Sequence, residues 1–316
     1  MSLSHHHHEH HDHGHAHSVG GHHAPADFGW AFTIGISLNA LYVLIEAFWG
    51  ISVHSVALLA DAGHNLGDVI GLGGAWFAAW LSRLGPSGQY TYGFRRSSIL
   101  AALANAIVLL VVTGGIAWEA IQRLITPEST GGLVIMIVAI AGVFVNGITA
   151  LMFMAGRKGD LNIKAAFLHM AADASLALGV AVAGAVILLT GGRWVDPAVS
   201  LVISVVIVGG TWGLLRDSVN FSLDAVPPGI DQDQVCGYLR GLPGVTEVHD
   251  LHIWGMSTTE TALTAHLVRI DAGQDDDLLH RITHDVRERF GIVHATVQLE
   301  TPERADLCEL RPDHVV

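Results

Sequence analysis

Charge is scarce in this sequence. Of its 316 residues only 14% are Asp, Glu, Lys or Arg, and 51% are hydrophobic. An ordinary soluble domain is roughly one-quarter charged. With a mean hydropathy of +0.46, a soluble enzyme of this size is excluded. Positive charge is the scarcer sign, with 16 Lys and Arg against 29 Asp and Glu for a formal net charge of −13. That balance excludes nucleic acid as a partner, because phosphate binding is carried by Lys and Arg. There are two cysteines, Cys236 and Cys308, too few for a disulfide framework or a zinc ribbon. Neither Lys nor Arg precedes the first apolar run near Phe28, so that run lacks the flank of a cleaved signal peptide. No H-E-x-x-H, G-x-S-x-G or dense set of intramembrane histidine boxes occurs, which removes the commonest metal and serine hydrolase chemistries.

What the chain has instead is length of apolar sequence. About 20 apolar residues cross a hydrocarbon core of ~30 Å. Six segments qualify: Phe28–Gly50, Ser55–Ser82, Ser97–Leu124, Leu133–Ala155, Leu161–Leu189 and Pro197–Arg216. Arg83, Arg95, Arg96, Arg157, Lys158, Lys164 and Arg216 fall on one side of these spans, and Arg123 and Arg193 on the other. The positive-inside bias therefore predicts both termini in the cytoplasm. Residues 1–27 are rich in His and interrupted by Glu9, Asp12 and Gly14. They read as a disordered, metal-collecting tail rather than a purification tag. Residues 28–224 form the membrane domain. In residues 225–302 the order helix, strand, strand, helix, strand predicts a small α+β domain, with Asp231 capping its first helix. Residues 303–316 read as part of a loose tail that starts at Pro302.

Within the second span, His64 and Asp68 stand one helical turn apart. His169 and Asp173 repeat that spacing in the fifth span. Side chains at i and i+4 leave the same helix face. Ionisable groups at membrane depth mark functional sites. Two imidazoles and two carboxylates suit a tetrahedral divalent metal, zinc best. The alternative is a buried His–Asp hydrogen-bonded pair in each helix. Asn39, Asn105 and Asn146 read as links between helices, and Asp61 as a group just outside the ligand set. His280 and His284 read as solvated, and Trp254 as a core or dimer contact.

The stretch Leu58-Leu59-Ala60-Asp61-Ala62-Gly63-His64-Asn65-Leu66-Gly67-Asp68 resembles the cation diffusion facilitator family, nearest its CzcD/ZitB-like zinc branch. So do Thr91-Tyr92-Gly93-Phe94-Arg95-Arg96, the His169/Asp173 pair and His249-Asp250-Leu251-His252-Ile253-Trp254. The resemblance spans roughly Phe28 to Glu300. It implies a homodimeric zinc/proton antiporter of a bacterial inner membrane. Six transmembrane helices would carry a cytoplasmic ferredoxin-like α+β domain. It implies that His64, Asp68, His169 and Asp173 carry Zn2+, with Cd2+ or Co2+ tolerated. It further implies a regulatory zinc site of His249, His266 and Glu300, with His294 and His252 nearby; the alternative is a solvated sheet face bearing histidines. Cys308 and His314 could add ligands there. Arg96 would pair with Asp224 or simply anchor the cytoplasmic side. The second-to-third-span loop, Leu84–Tyr92, holds no His, Asp, Glu or Cys, so a family site placed there is not expected. Ser98 stands where relatives tend to carry Glu, so whatever that Glu does is not expected here.

Metal ligands must be deprotonated, so metal binding releases protons and protonation releases metal. On this logic His64 and His169 carry the exchanged protons while the carboxylates hold charge. A membrane-anchored zinc sensor and a zinc-dependent membrane enzyme are the competing classes. A catalytic zinc keeps an open coordination position, and a sensor needs no ionisable groups at membrane depth.

Overall fold

The computed structural model describes residues 29–154, 161–270 and 275–311. The His-rich tail, Arg157, Lys158 and His314 lie outside them. Six long helices come first: α1 (Gly29–Ser52), α2 (Val56–Ser82), α3 (Ser97–Ile125), α4 (Gly132–Met154), α5 (Leu161–Thr190) and α6 (Val195–Ser222). Their bounds lie within a few residues of those expected, save that α6 runs six residues further. Among the described residues five of these are long and apolar enough to cross a membrane. The sixth, α2, has the length, but Asp61, His64, Asn65 and Asp68 dilute its hydropathy. Large apolar side chains such as Leu44, Phe48, Trp76, Leu189 and Val205 face outward. Water would penalise such a surface heavily, whereas lipid accepts it.

Small residues set how closely the helices approach. The tightest contact is α4 against α5. A Cβ built on Gly184 would lie 2.6 Å from Met136 N, and one on Gly132 would lie 2.7 Å from Leu188 N. Backbone meets backbone here, so neither position has room for a side chain. Gly142 of α4 likewise leaves the space that the Tyr42 ring and hydroxyl occupy, where any Cβ would collide. At the far end of the bundle, Ser55 caps α2 by accepting from Leu58 N, and Asp196 of α6 reaches the same turn. Asp196 accepts from Ser55 Oγ at 2.5 Å and from Val56 N at 2.8 Å. A carboxylate at a helix N-terminus meets otherwise orphaned donors.

The C-terminal domain follows: α7 (Gln232–Arg240), β1 (Val245–Gly255), β2 (Thr261–Arg269), α8 (Asp275–Phe290) and β3 (Ile292–Glu300). Asp231 caps α7 as expected, accepting from Asp233 N and Gln234 N. The sheet order is β1-β2-β3, the first pair antiparallel and the second parallel. Leu263, Ala265 and Leu267 point into the core with Val235, Leu239, Ile282 and Val286 of the two helices. The alternate residues of the strands form the opposite, polar face.

One expectation fails. The tail after Glu300 is not loose as far as Arg311. It forms a short helix, α9 (Pro302–Ala305). Beyond that turn, Arg311 grips the Glu247 carboxylate with two bonds, Nε to Oε1 at 2.9 Å and Nη2 to Oε2 at 2.8 Å, and also pairs with Asp306. Composition alone showed no reason for order there, because the partner residue lies more than fifty positions earlier in the chain.

The two domains touch at several places. Arg95 Nη1 meets Glu260 Oε2 at 2.6 Å, and beside it, within the membrane domain, Arg96 Nη2 meets Asp224 Oδ1 at 2.5 Å just past the end of α6. Ser98 Oγ accepts from Thr258 N at 3.1 Å.

Candidate metal centres

Helix α2 presents three different faces. Gly63 and Gly67 lie against Ile116 and Leu109 of α3. Asp61 lies toward α1. His64 and Asp68 lie toward α5, where His169 and Asp173 meet them. The helices α2 and α5 otherwise touch little, so these side chains are the main bridge between them.

The distances describe a cage. His64 Nε2 lies 3.7 Å from Asp68 Oδ2 and 3.4 Å from Asp173 Oδ1. His169 Nε2 lies 3.3 Å from Asp68 Oδ2 and 3.6 Å from Asp173 Oδ2. These are longer than charge-assisted hydrogen bonds of about 2.7–2.9 Å. These four nitrogen–oxygen distances are near the edges, about 3.3–3.6 Å, of a tetrahedron whose centre lies ~2.0–2.2 Å from each corner. Ligand atoms of His64, Asp68 and Asp173 all fall within 4.8 Å of one another; His169 stands outside that group, its Nε2 approaching both carboxylates. Asp173 is buried, and both its oxygens, Asp68 Oδ2 and His64 Nδ1 lack hydrogen-bond partners. Buried polar atoms are rarely left so. A cavity of about 310 Å3 adjoins the cage, lined by Asn39, Asn65, Asp68, Phe153, His169 and Asp173 among others.

A second cluster forms on the polar face of the C-terminal sheet. His249 pairs across the strands with His266, and His266 with Gln298. Glu300 Oε2 lies 3.4 Å from His249 Nε2, and Glu300 Oε1 lies 3.3 Å from His266 Nδ1. Cys308, brought in by the ordered tail, places Sγ 3.7 Å from His266 Nδ1. These four residues again hold ligand atoms within 4.8 Å of one another. Both His249 ring nitrogens and Glu300 Oε2 are buried without a partner. Two imidazoles, a carboxylate and a thiol are a donor set suited to zinc.

His294 does not join them. It lies on the same sheet face as Glu300, but four residues before Gln298, hence about 13 Å along the strand from the level of His266. It packs edge-on against Tyr92, with ring centroids 5.6 Å apart. His252 also stands outside, because a bulge interrupts β1 between His249 and His252. That bulge brings in Asp250, which the sequence reading passed over as a ligand neighbour. With φ of +51°, Asp250 turns its carboxylate to within 2.8 Å of His252 Nε2 and 3.4 Å of His266 Nε2. Asp is among the few residues that enter that left-handed region readily. His284 is exposed, its ring nitrogen 3.3 Å from Asp285.

Two family models match the chain. The cation efflux transmembrane domain covers residues 32–220, and the cytoplasmic domain of cation efflux proteins covers residues 227–302. The zinc transporter ZitB of Escherichia coli (strain K12) is 36% identical over 268 residues, 83% of this chain and 84% of that protein. The cadmium, cobalt and zinc/H(+)-K(+) antiporter of Bacillus subtilis (strain 168) is 32% identical over 277 residues, 85% of this chain and 89% of that protein. The solved metal-bound C-terminal domain of the CzcD transporter, 32% identical, aligns with 22% of this chain and 99% of its own length, with a TM-score of 0.21.

Proposed function

The chain belongs to the cation diffusion facilitator family of cation efflux transporters, and from that premise we propose that it expels zinc by exchange for protons at the α2–α5 cage. It is a transporter of divalent metal cations and not an enzyme. His64, Asp68, His169 and Asp173 hold the travelling ion, with Cd2+ and Co2+ as further substrates. The observation that carries this reading is the convergence of two imidazoles and two carboxylates with nitrogen–oxygen distances of 3.3 to 3.7 Å, near the donor spacing around a small divalent ion.

The chemistry follows from the donors. Each imidazole must be neutral to ligate. A proton arriving at His64 or His169 therefore competes with the metal, and metal arriving expels the proton. The two carboxylates balance the charge of the ion at membrane depth, where an uncompensated charge is costly. The thin packing of α2 on α5 leaves the pair free to tilt and open the cage to alternate sides.

The C-terminal domain faces the cytoplasm in this reading, both termini lie inside, and the membrane is the inner membrane of a bacterium. Two chains associate as a homodimer. His249, His266, Glu300 and Cys308 would hold a resident Zn2+ that regulates transport and ties the tail to the sheet. His294 is left out of that set on the geometry above.

The test is Zn2+ uptake into proteoliposomes under an imposed proton gradient, comparing wild type with Asp68→Ala and Asp173→Ala. Gradient-driven flux lost in both variants supports the reading. Undiminished flux in the variants moves the transport site elsewhere. Tight zinc binding by the wild type with no flux at all would point to a sensor.

A further inference from the structure

The cavity beside the cage holds polar groups that the four ligands do not account for. It lies between α1, α2, α4 and α5. Gly35 of α1 packs so near α4 that an added Cβ would lie 2.8 Å from Thr149 Cγ2, which sets the start of α1 beside the end of α4. Leu72 lies one turn past Asp68 in α2, and Ala166 one turn before Met170 in α5; both line the cavity. All these positions lie toward the end of the bundle where Arg95 meets Glu260 of the C-terminal domain. The cavity therefore leads from the cage toward that end and away from the Asp196 end.

Asn39 and Met170 meet there. Asn39 stands one turn beyond Gly35, and its amide Nδ2 donates to Met170 Sδ at 3.4 Å. A thioether only accepts, so the amide nitrogen is the end that faces it. Asn39 is 9% exposed, and its Oδ1 is buried without a hydrogen-bond partner. Such an oxygen costs stability unless some stage of the protein's work gives it a donor. Met170 directly follows His169, and its sulfur keeps a second lone pair beyond the Asn39 bond. Thr149 lines the same cavity. Its hydroxyl donates to the Val145 carbonyl at 2.8 Å, which leaves its oxygen able to accept. The volume is about 310 Å3. At roughly 30 Å3 per water, a divalent ion with a shell of six waters, ~180 Å3, fits within it.

We propose that Asn39 and Met170 form a waypoint for the travelling ion, between the C-terminal-domain end of the bundle and the cage, and that they select which ion passes. This rests on the cage being the transport site. The ion arrives hydrated. Water bound to a divalent cation is a strong donor, and Asn39 Oδ1 accepts from it. Met170 Sδ takes the place of one water on the ion. Mg2+ and Ca2+ hold to oxygen ligands, and Mg2+ sheds water reluctantly, so neither gains from a thioether. Zn2+ gains from it and Cd2+ gains more, because softer ions take sulfur. The remaining waters leave as Asp68 and His169, which line the same cavity, replace them. No proton or electron is exchanged at this step.

The experiment uses the full chain in proteoliposomes under one imposed proton gradient. Initial rates for Zn2+ and for Cd2+ are measured against concentration for wild type, Asn39→Leu and Met170→Leu. Exchange of Met for Leu conserves volume and is well tolerated. The Zn2+ affinity of the cage is read by calorimetry in detergent as the part of the binding that Asp68→Ala removes. A waypoint alters the path and not the final site. In Asn39→Leu, kcat/KM for Zn2+ should therefore fall about ten-fold or more, the weight of one hydrogen bond to a charged species, while cage affinity holds. Met170→Leu should lower the Cd2+ rate several-fold more than the Zn2+ rate. If both variants keep the wild-type kcat/KM for both ions, the two side chains only join α1 to α5, and the proposal falls while the transport site stands. It falls equally if cage affinity drops as far as flux does, or if Met170→Leu leaves the Cd2+ to Zn2+ ratio unchanged. Should Asn39→Leu fail to fold, the ratio in Met170→Leu decides alone. If the wild type carries neither ion, the transport reading fails and the waypoint with it.

Discussion

Gly184→Ala adds a single methyl group, yet it should damage both stability and metal binding. The new Cβ would sit 2.6 Å from Met136 N and 2.9 Å from Gly132 O, where ordinary contacts begin at 3.4 Å. The atoms in the way are backbone, so α4 and α5 must part by the difference, about 0.8 Å, instead of a side chain swinging aside. Overpacking of this kind costs ~1–3 kcal/mol. Gly184 lies on the same helix as Asp173, about 16 Å further along the axis at 1.5 Å per residue. A displaced α5 carries Asp173 and His169 away from Asp68 and His64. Disturbed support around a metal site lowers affinity by roughly 10- to 100-fold. Gly179→Ala supplies the control. It is the same substitution on the same helix, with nothing within 4 Å of the new atom, and it should gain up to about 1 kcal/mol from helix propensity. Thermal unfolding in detergent and Zn2+ calorimetry on the two variants measure the contrast. If Gly184→Ala melts and binds zinc like Gly179→Ala, the account of α4–α5 contact as the support of the cage is wrong.

Three further outcomes are expected. Asp196→Asn removes the negative charge that accepts from Ser55 and Val56 N; hydrogen bonds to charged groups contribute about 1.5–3 kcal/mol, so the melting temperature should fall by roughly 4–8 °C. Cys308→Ser should weaken metal binding at the C-terminal cluster by roughly a hundredfold, about a quarter of a four-ligand zinc site's binding energy. In Co2+-loaded protein it should abolish the thiolate-to-metal absorption band, while Cys236→Ala preserves it. The Arg311 guanidinium holds the Glu247 carboxyl below its usual value, so folded protein binds that proton less readily than unfolded protein does. The bridge therefore stabilises fully above the ordinary carboxylate value of about 4.3 and fades as acidity carries the folded group through its own lower value. Both partners are partly exposed, so solvent screening keeps the contribution small. Denaturation of Arg311→Ala should show that deficit at neutral pH and lose it in strong acid.

Apolar run lengths determined the helices, because a backbone in lipid has to satisfy its own hydrogen bonds and each span is then a local decision. The pairing of His64 with Asp68, and of His169 with Asp173, was legible for the same reason: a helical turn fixes the spacing of i and i+4 before any tertiary contact forms. Strand alternation gave the polar face that bears His249, His266 and Glu300. It could not separate His294 from them, since residues an even number apart share a face however far along the strand they lie. Position along the sheet depends on which rungs pair, and that register is tertiary. Cys308 was a possible ligand on paper and a neighbour of His266 only once Arg311 had closed on Glu247. Asp250 depended on a bulge that no local pattern announces. Glu46 and Asp61 belong to different helices, and each alone reads as one more acid in an apolar run. Only the packing of the helices shows that both are wholly buried, because contact between helices is set by the shapes of many side chains together and not by the spacing of any one pair.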